Sequence, residues 1–252
     1  MTKVAIIGGT GLEDPEILKK PRTIDMPTPF GKTSSTFRAG KIEGVDVLIL
    51  SRHGKKHTIP PTQVNNLANL WAIREAGCTH IIATTACGSL REEIRRGDLV
   101  VPDQFIDFTR FRKNTFYDKF QEGRLNHTPM ADPFNEVLRG ILIKSAGELG
   151  LRYHPRGTVI TIEGPRFSTR AESGMFRILG ADVINMSIAP ECILANELGI
   201  PYAALAMSTD YDSWKNDEAP VTWEEVLAVF RHNVENVVHL IVKAISLLAA
   251  GS

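Results

Sequence analysis

Thr161-Ile162-Glu163-Gly164-Pro165-Arg166-Phe167-Ser168-Thr169-Arg170-Ala171-Glu172 decides how this chain is read. It follows the apolar run Gly157-Thr158-Val159-Ile160, which reads as a strand, and it leads into a helix. Thr169 with Glu172 three residues on is a capping box, so the helix starts there. A strand, a short rigid linker and a capped helix make one α/β unit. Phe167 and Ser168 then stand just outside the strand's carboxyl end, where open α/β sheets bind ligands. An aromatic face beside a hydroxyl suits a flat heterocycle that needs stacking and one hydrogen bond. A core phenylalanine next to a helix cap is the competing reading.

Outward from this segment, apolar strand-like runs alternate with helical patterns. Val4-Ala5-Ile6-Ile7 reads as a buried strand, and residues 36–40 and 45–50 as an antiparallel pair around Glu43-Gly44. Gln63 to Glu75 is expected to be helical, with Gly77 at its carboxyl end. Residues 80–84 and 99–101 are further strands. Residues 103–134 form a long irregular excursion with several aromatics, a length that is uncommon unless functional. Phe134 to Leu149 is a helix closed by Gly150, after which strands near 157–162, 182–186 and 202–208 alternate with helices. Thr222 opens a long terminal helix with Val226, Leu227, Phe230, Val234, Val237, Val238 and Ile241 on one face. No repeat, low-complexity tract or linker interrupts the pattern, so one α/β domain over residues 1–252 is expected.

Hydrophobic residues make up 43% of the chain, enough for a continuous core. Lys plus Arg equals Asp plus Glu at 29 each, so no basic excess points to nucleic acid or to an anionic membrane surface. No run of ~18 apolar residues suggests a membrane span. Met1-Thr2-Lys3 runs straight into a strand, which is not a signal-peptide pattern. Cys78, Cys87 and Cys192 are odd in number and lack CxxC spacing, against a disulfide framework or a zinc site. A cytoplasmic setting is expected.

Four strand ends carry polar residues. Gly8-Gly9-Thr10-Gly11 would let backbone approach a phosphate, with the Thr10 hydroxyl beside it. It matches neither the Walker loop nor the GxGxxG dinucleotide fingerprint. Arg52-His53-Gly54 sets a guanidinium beside an imidazole, a reasonable oxyanion clamp. Thr84-Thr85-Ala86-Cys87-Gly88-Ser89 offers hydroxyls and N–H groups. Thr209-Asp210-Tyr211-Asp212 places two carboxylates at i and i+2, on one side of an extended chain. They suit acid–base chemistry, and no His or third carboxylate lies nearby to complete a metal site. Each segment alone is equally compatible with an ordinary turn. His57 and His127 sit in loops from which they could reach a site.

Taken together and in order, these segments become recognisable. They are Ile7 to Leu12, Arg52-His53-Gly54 with His57-Thr58-Ile59-Pro60, Thr84 to Arg91, Glu163 to Ser168, Val183-Ile184-Asn185-Met186-Ser187 and Thr209 to Asp212. The chain resembles the trimeric purine nucleoside phosphorylase family over nearly its whole length, and most closely the branch that acts on 5′-methylthioadenosine. The resemblance implies a single α/β domain with a central mixed, partly barrel-like sheet flanked by helices. It implies cleavage of a purine N-glycosidic bond by inorganic phosphate as co-substrate, with no metal and no organic cofactor. Phosphate would meet Thr10, Arg52, His53, Thr85, Ala86 and Ser187. The ribose would lie near Met186, and the purine between Phe167, Ser168, Asp210 and Asp212. Trp223, Val226 and Leu227 would surround the 5′ substituent, and His127 would approach the site of a neighbouring subunit in a homotrimer. Ser168 and Trp223 stand at positions that bear on specificity.

Chemistry agrees with this assignment. Phosphate is a modest nucleophile, so the base must be made a better leaving group, and Asp210 is the catalytic candidate at N7. A carboxyl can accept from the N6 amino group of adenine and, when protonated, donate to N7; against a 6-oxopurine it would set oxygen against oxygen. The 6-oxopurine branch of the family carries Asn there, so Asp210 favours adenine. Two departures from the branch are visible: Trp223 replaces a small aliphatic residue, and Ser187 replaces a threonine but keeps its hydroxyl. A phosphorylase of 5′-methylthioinosine or of other purine nucleosides is the nearest alternative. A nicotinamide-dependent reductase and a non-catalytic nucleoside-binding protein are the more distant ones.

Overall fold

The computed structural model describes residues 2–8, 17–123, 125–217 and 222–250. Its centre is β5 (His80–Ser89), whose β-branched and small residues are nearly all buried. On one side β5 pairs in parallel with β1 (Lys3–Gly8), which pairs in parallel with β4 (Val45–Ser51). On the other it pairs in parallel with β11 (Tyr202–Asp210). Beyond β4, the antiparallel strands β3 (Phe37–Ile42) and β2 (Lys19–Ile24) complete that edge.

The last residues of β5 do something different. They meet β10 (Val183–Asn185) antiparallel, with Val183 opposite Ser89 and Ile184 opposite Gly88. Next to β10 come β9 (Thr158–Ile162) and β7 (Gln104–Phe108), both parallel to it. Two short strands, β6 (Leu99–Val100) and β8 (Tyr153–His154), branch from β11. The mixed eleven-stranded sheet therefore forks at β5. Strands of opposite direction end against each other there, and their carboxyl ends converge on residues 84–88.

Alternation along the strands sorts the core into layers. Ala5, Ile7, Leu48, Leu50, Ile81, Ala83, Ala204 and Ala206 face one way, with Leu70 and Ile73 of α1 (Asn66–Glu75) and Leu194 of α4 (Ile188–Glu197). Val4, Ile6, Val47, Ile49, Ile82, Ala203 and Leu205 face the other, with Leu138 and Leu142 of α2 (Glu136–Glu148) and Phe230, Leu240 and Ile241 of α5 (Trp223–Ala250). Burial on both faces is why these strands read as continuous apolar runs. A third cluster, including Leu90, Ile160, Ile162 and Ile184, is covered by Phe176 of α3 (Arg170–Ile178).

The expected single α/β unit with a mixed sheet and flanking helices is the observed architecture, and the capping box is present with both of its hydrogen bonds. Several details differ from expectation. The first helix begins at Asn66, because a short turn at Pro61–Gln63 precedes it and the Asn65 side chain caps it by accepting from Ala68 N–H at 3.1 Å. The excursion contains a strand, β7, and the polar strand β2 and two-residue β8 carry too little apolar pattern to be read. The expectation that no segment is long and apolar enough to cross a membrane also needs correction. Asn233–Ala250 passes by length and composition. In the fold, its Val237, Leu240, Ile241, Ala244, Ile245 and Leu248 form a buried stripe in the cluster that contains α2 and β11 side chains.

Candidate functional site

The converging strand ends enclose a cavity of about 420 Å³. Its wall contains Arg52, His53, Thr85, Ala86, Phe167, Met186, Ser187, Asp210, Asp212 and Val226, drawn from segments far apart in the chain. Ile162, Ile184 and Pro165 give it apolar surface, and His57 to Pro61 close one side.

One end is built to hold an anion. Arg52 follows β4 and is only 1% exposed. Its guanidinium is gripped by Glu191 of α4, through Nε to Oε1 and through Nη2 to Oε2 at 3.0 Å, and its Nη1 donates to the Thr84 carbonyl at 2.8 Å. His53 Nδ1 lies 2.9 Å from the Ile59 carbonyl. A carbonyl only accepts, so this contact places the proton on Nδ1 in the neutral ring. The His57 ring stacks on His53 with centroids 4.6 Å apart.

Beside Arg52, the Thr85 and Ser187 hydroxyls lie 3.3 Å apart although they come from β5 and the start of α4. Asn185 joins them. Its amide donates to Thr85 Oγ1 at 3.4 Å, and its carbonyl oxygen accepts from the Thr161 hydroxyl at 2.7 Å and from Ser187 N–H at 3.5 Å. Ser187 is the N-cap residue of α4, yet its side chain makes no capping bond. The positive end of a buried helix thus sits next to two hydroxyls and a guanidinium, an arrangement suited to a phosphate-sized anion.

The opposite end is acidic. Asp210 lies opposite Gly88 across a β-bulge that leaves Thr209 as the extra residue between Ser208 and Asp210. A Cβ on Gly88 would come within 2.8 Å of Asp210 Oδ1, so this approach requires glycine. Asp210 is 7% exposed, and burial pushes its carboxyl up to about 6. The Thr209 hydroxyl and Asp212 N–H, each donating at 2.8 Å, limit the rise. Burial also raises the Asp212 carboxyl; the hydroxyls of Ser173 and Ser168 sit near enough to weaken that rise, though not in hydrogen-bonding geometry.

One glycine-dependent contact and one carboxylate clamp shape the middle. Gly164 has φ of 63°, and a Cβ there would collide with Met186 Sδ, so the Phe167 loop packs directly on the Met186 side chain. Glu163 fixes the same loop. It accepts from Arg110 N–H at 2.7 Å, from Phe111 N–H at 3.1 Å and from Arg112 Nε at 2.8 Å. Arg112 in turn donates to the carbonyls of Glu163 and Met186, the latter at 3.1 Å. Burial alone would raise the Glu163 carboxyl, but these donors hold it below the usual range.

Most of the residues expected at a site are thus brought together. Ser168 is buried beside Asp212, and it lines a smaller recess with Glu163 and Arg166 rather than the main cavity. Leu227 is half-buried one position beyond Val226 and does not reach the cavity wall among the described residues. His127 is exposed and packs edge-on against Phe120, with centroids 5.3 Å apart. Thr10 and the Trp223 side chain lie outside the described residues. Asn185, Glu191 and Tyr202 were not expected. The signal for Glu191 was a lone carboxylate in the apolar helix sequence Ile188-Ala189-Pro190-Glu191-Cys192-Ile193-Leu194, which a buried cation must balance.

Comparison with known proteins agrees with this geometry. The pattern of the phosphorylase superfamily matches residues 3–246. An S-methyl-5′-thioadenosine phosphorylase from Xenopus tropicalis is 53% identical over 98% of this chain and 89% of its own. One from Drosophila melanogaster is 49% identical over 98% of this chain and 86% of its own. The solved methylthioadenosine phosphorylase from Schistosoma mansoni in complex with adenine superposes with a TM-score of 0.94 at 43% identity, covering 99% of this chain and 93% of that one. A single-site mutant of the Schistosoma mansoni adenosine/methylthioadenosine phosphorylase, in complex with methylthioadenosine, also gives a TM-score of 0.94 at 43% identity, covering 99% and 92%. With a cavity of this chemistry on a fold matched from end to end, the chain belongs to the phosphorylase superfamily.

Proposed function

We propose that this chain is a pentosyltransferase that cleaves 5′-methylthioadenosine with phosphate, releasing adenine and 5-methylthioribose 1-phosphate. The observation that carries the proposal is the polarity of the cavity: an anion clamp at one end and, at the other, a buried Asp210 whose carboxyl burial raises to about 6. A phosphate oxygen bonds to C1′ while the C1′–N9 bond breaks, and its electron pair passes into the purine. The ribosyl centre becomes oxocarbenium-like, and the anion held by Arg52, His53, Thr85, Ala86 and Ser187 stabilises that charge as it attacks. Asp210 supplies or shares the proton that neutralises the leaving purine at N7. Phe167 stacks on the base, Met186 lies against the ribose, and Ser168 and Asp212 bound the purine pocket beside Asp210, whose carboxyl accepts from Asp212 N–H. Val226, with Leu227 and Trp223, gives an apolar surround for the alkylthio group. Phosphate is a co-substrate in this scheme, and neither a metal nor an organic cofactor takes part. The products suit purine and methionine salvage in the cytoplasm.

We further propose a homotrimer in which His127 completes a neighbouring site. The exposed apolar side chains Phe111, Ile178 and Leu179 offer apolar surface for a subunit contact. Sedimentation analysis checks it, and a monomer at micromolar concentration would end this part of the reading.

The test of the activity is phosphate-dependent base release, run in parallel on 5′-methylthioadenosine, adenosine, 5′-methylthioinosine and inosine. Preference for the first is expected. Preference for the inosine compounds would keep the reaction and overturn the role of Asp210 in base selection. No turnover on any of them would overturn the proposal.

A further inference from the structure

Glu191 is 1% exposed, and it sits in the first turn of a helix whose other inward residues are apolar. Both of its oxygens are engaged. Oε1 accepts from Arg52 Nε, and Oε2 accepts from Arg52 Nη2 and from the Tyr202 hydroxyl, each at 3.0 Å. Tyr202 is itself 1% exposed, and burial together with the neighbouring carboxylate holds its hydroxyl protonated well above the ordinary range. Arg52 reaches the cavity wall; Glu191 and Tyr202 do not. Tyr202 stands on β11 and Glu191 on α4, so two framework elements fix one edge of the guanidinium plane.

We propose that Glu191, held by Tyr202, is a positioning residue that sets the affinity for phosphate without touching it. The inference rests on the phosphate role given to Arg52 above. A charge argument alone predicts the opposite sign. Glu191 is an anion behind the clamp, and it repels a bound phosphate, so removing its charge should tighten binding. A geometric argument predicts weakening. A bidentate carboxylate holds the planar guanidinium in one orientation, whereas a glutamine amide would set an N–H donor against one of its N–H groups. The close two-point contact and the full burial favour geometry.

The test uses the full chain and the variants Glu191→Gln, Glu191→Asp and Tyr202→Phe. KM for phosphate, KM for the nucleoside and kcat are measured for each, with thermal unfolding as a check on folding. Calorimetric titration with inorganic phosphate alone is run beside the kinetics. Glu191→Gln is expected to raise KM for phosphate about tenfold or more, with KM for the nucleoside changed less than about twofold. Glu191→Asp keeps the charge but is one methylene too short to span both nitrogens, and it should weaken phosphate as well. Tyr202→Phe removes one donor without opening a cavity and should raise KM for phosphate by a few-fold, which serves if the Glu191 variants fail to fold. Tighter phosphate binding in Glu191→Gln would overturn the proposal, as would an unaltered Glu191→Asp or equal rises in both KM values. If the parent shows no turnover, the functional reading fails. The calorimetric affinities of the same variants then decide the Glu191 inference separately.

Discussion

Asp210→Asn should make the protein more stable and a much poorer catalyst in a single step. The Asp210 carboxyl titrates at about 6 in the fold because it is buried, whereas an unfolded aspartate titrates near ~3.9. Since the folded value is the higher one, its favourable contribution is complete at low pH, where both states are protonated. That contribution is lost as pH rises through about 6. Above that point, keeping the charge in the cavity wall costs about 3 kcal/mol. Asparagine removes the charge and keeps the shape. Its carbonyl still accepts from Asp212 N–H, now at 2.8 Å, and the Thr209 hydroxyl can turn to the Cys87 carbonyl at 3.2 Å and accept from the new amide. The variant should therefore gain about 1–3 kcal/mol in urea denaturation at pH 8, with the gain vanishing at about pH 4. Adenine release from 5′-methylthioadenosine should fall about 10²–10⁴-fold, the usual worth of a positioned acid. A rate within threefold of the parent would refute the proton-donor role. An unchanged denaturation midpoint at pH 8 would refute the claim that the site stores destabilisation in this carboxyl.

Gly88→Ala places a methyl 2.8 Å from Asp210 Oδ1 and 3.0 Å from Ile184 Cγ2. We expect base release to fall more than about 100-fold while calorimetric phosphate affinity stays within threefold; equal loss of both would show that the fork itself has moved. Thr169→Ala removes the hydroxyl that accepts from Glu172 N–H at 3.1 Å, so unfolding should cost about 1 kcal/mol less, and no change in denaturation midpoint would remove the cap from the account. Burial raises all three thiols, Cys78 to about 11 and Cys87 and Cys192 well beyond the ordinary range. Native protein at pH 8 should therefore react slowly with a disulfide reagent and denatured protein fast, and rapid labelling of Cys87 in the native state would contradict its packing.

The sequence made the parallel strands and the site segments legible because both leave local signals. Buried parallel strands are continuous apolar runs, and the polar residues that follow them, Arg52-His53 or Thr209-Asp210, break those runs visibly. What was not legible is what depends on pairing across the chain. The direction of β10 against β5, which creates the fork, comes from tertiary packing and has no local mark. β7 hides in the excursion because it is only half-buried, and β2 because its residues are almost all exposed. Asn185 stood in a segment already singled out, but its task of joining Thr85 to Ser187 exists only after β5 and β10 have met. Leu227 stands one position off the cavity wall, because a turn of 3.6 residues leaves the edge of an apolar stripe ambiguous.

The Glu163–Arg112 clamp carries a kinetic consequence. It ties together the excursion, the loop bearing Phe167 and the backbone at Met186, and the Arg112 side chain is only 3% exposed. Separating them means breaking that ion pair together with the bonds from Arg110 and Phe111 N–H to Glu163 and from Arg112 to two carbonyls, so the loop can open only by a concerted rearrangement. The Phe167 side chain, 37% exposed, is not part of the clamp. Rotation of one aromatic ring takes nanoseconds, whereas concerted loop opening takes microseconds or longer. Substrate and adenine therefore pass a gate made of a side chain on a fixed frame, and the release rate should respond to the bulk at position 167 far more than to the flexibility of the chain around it.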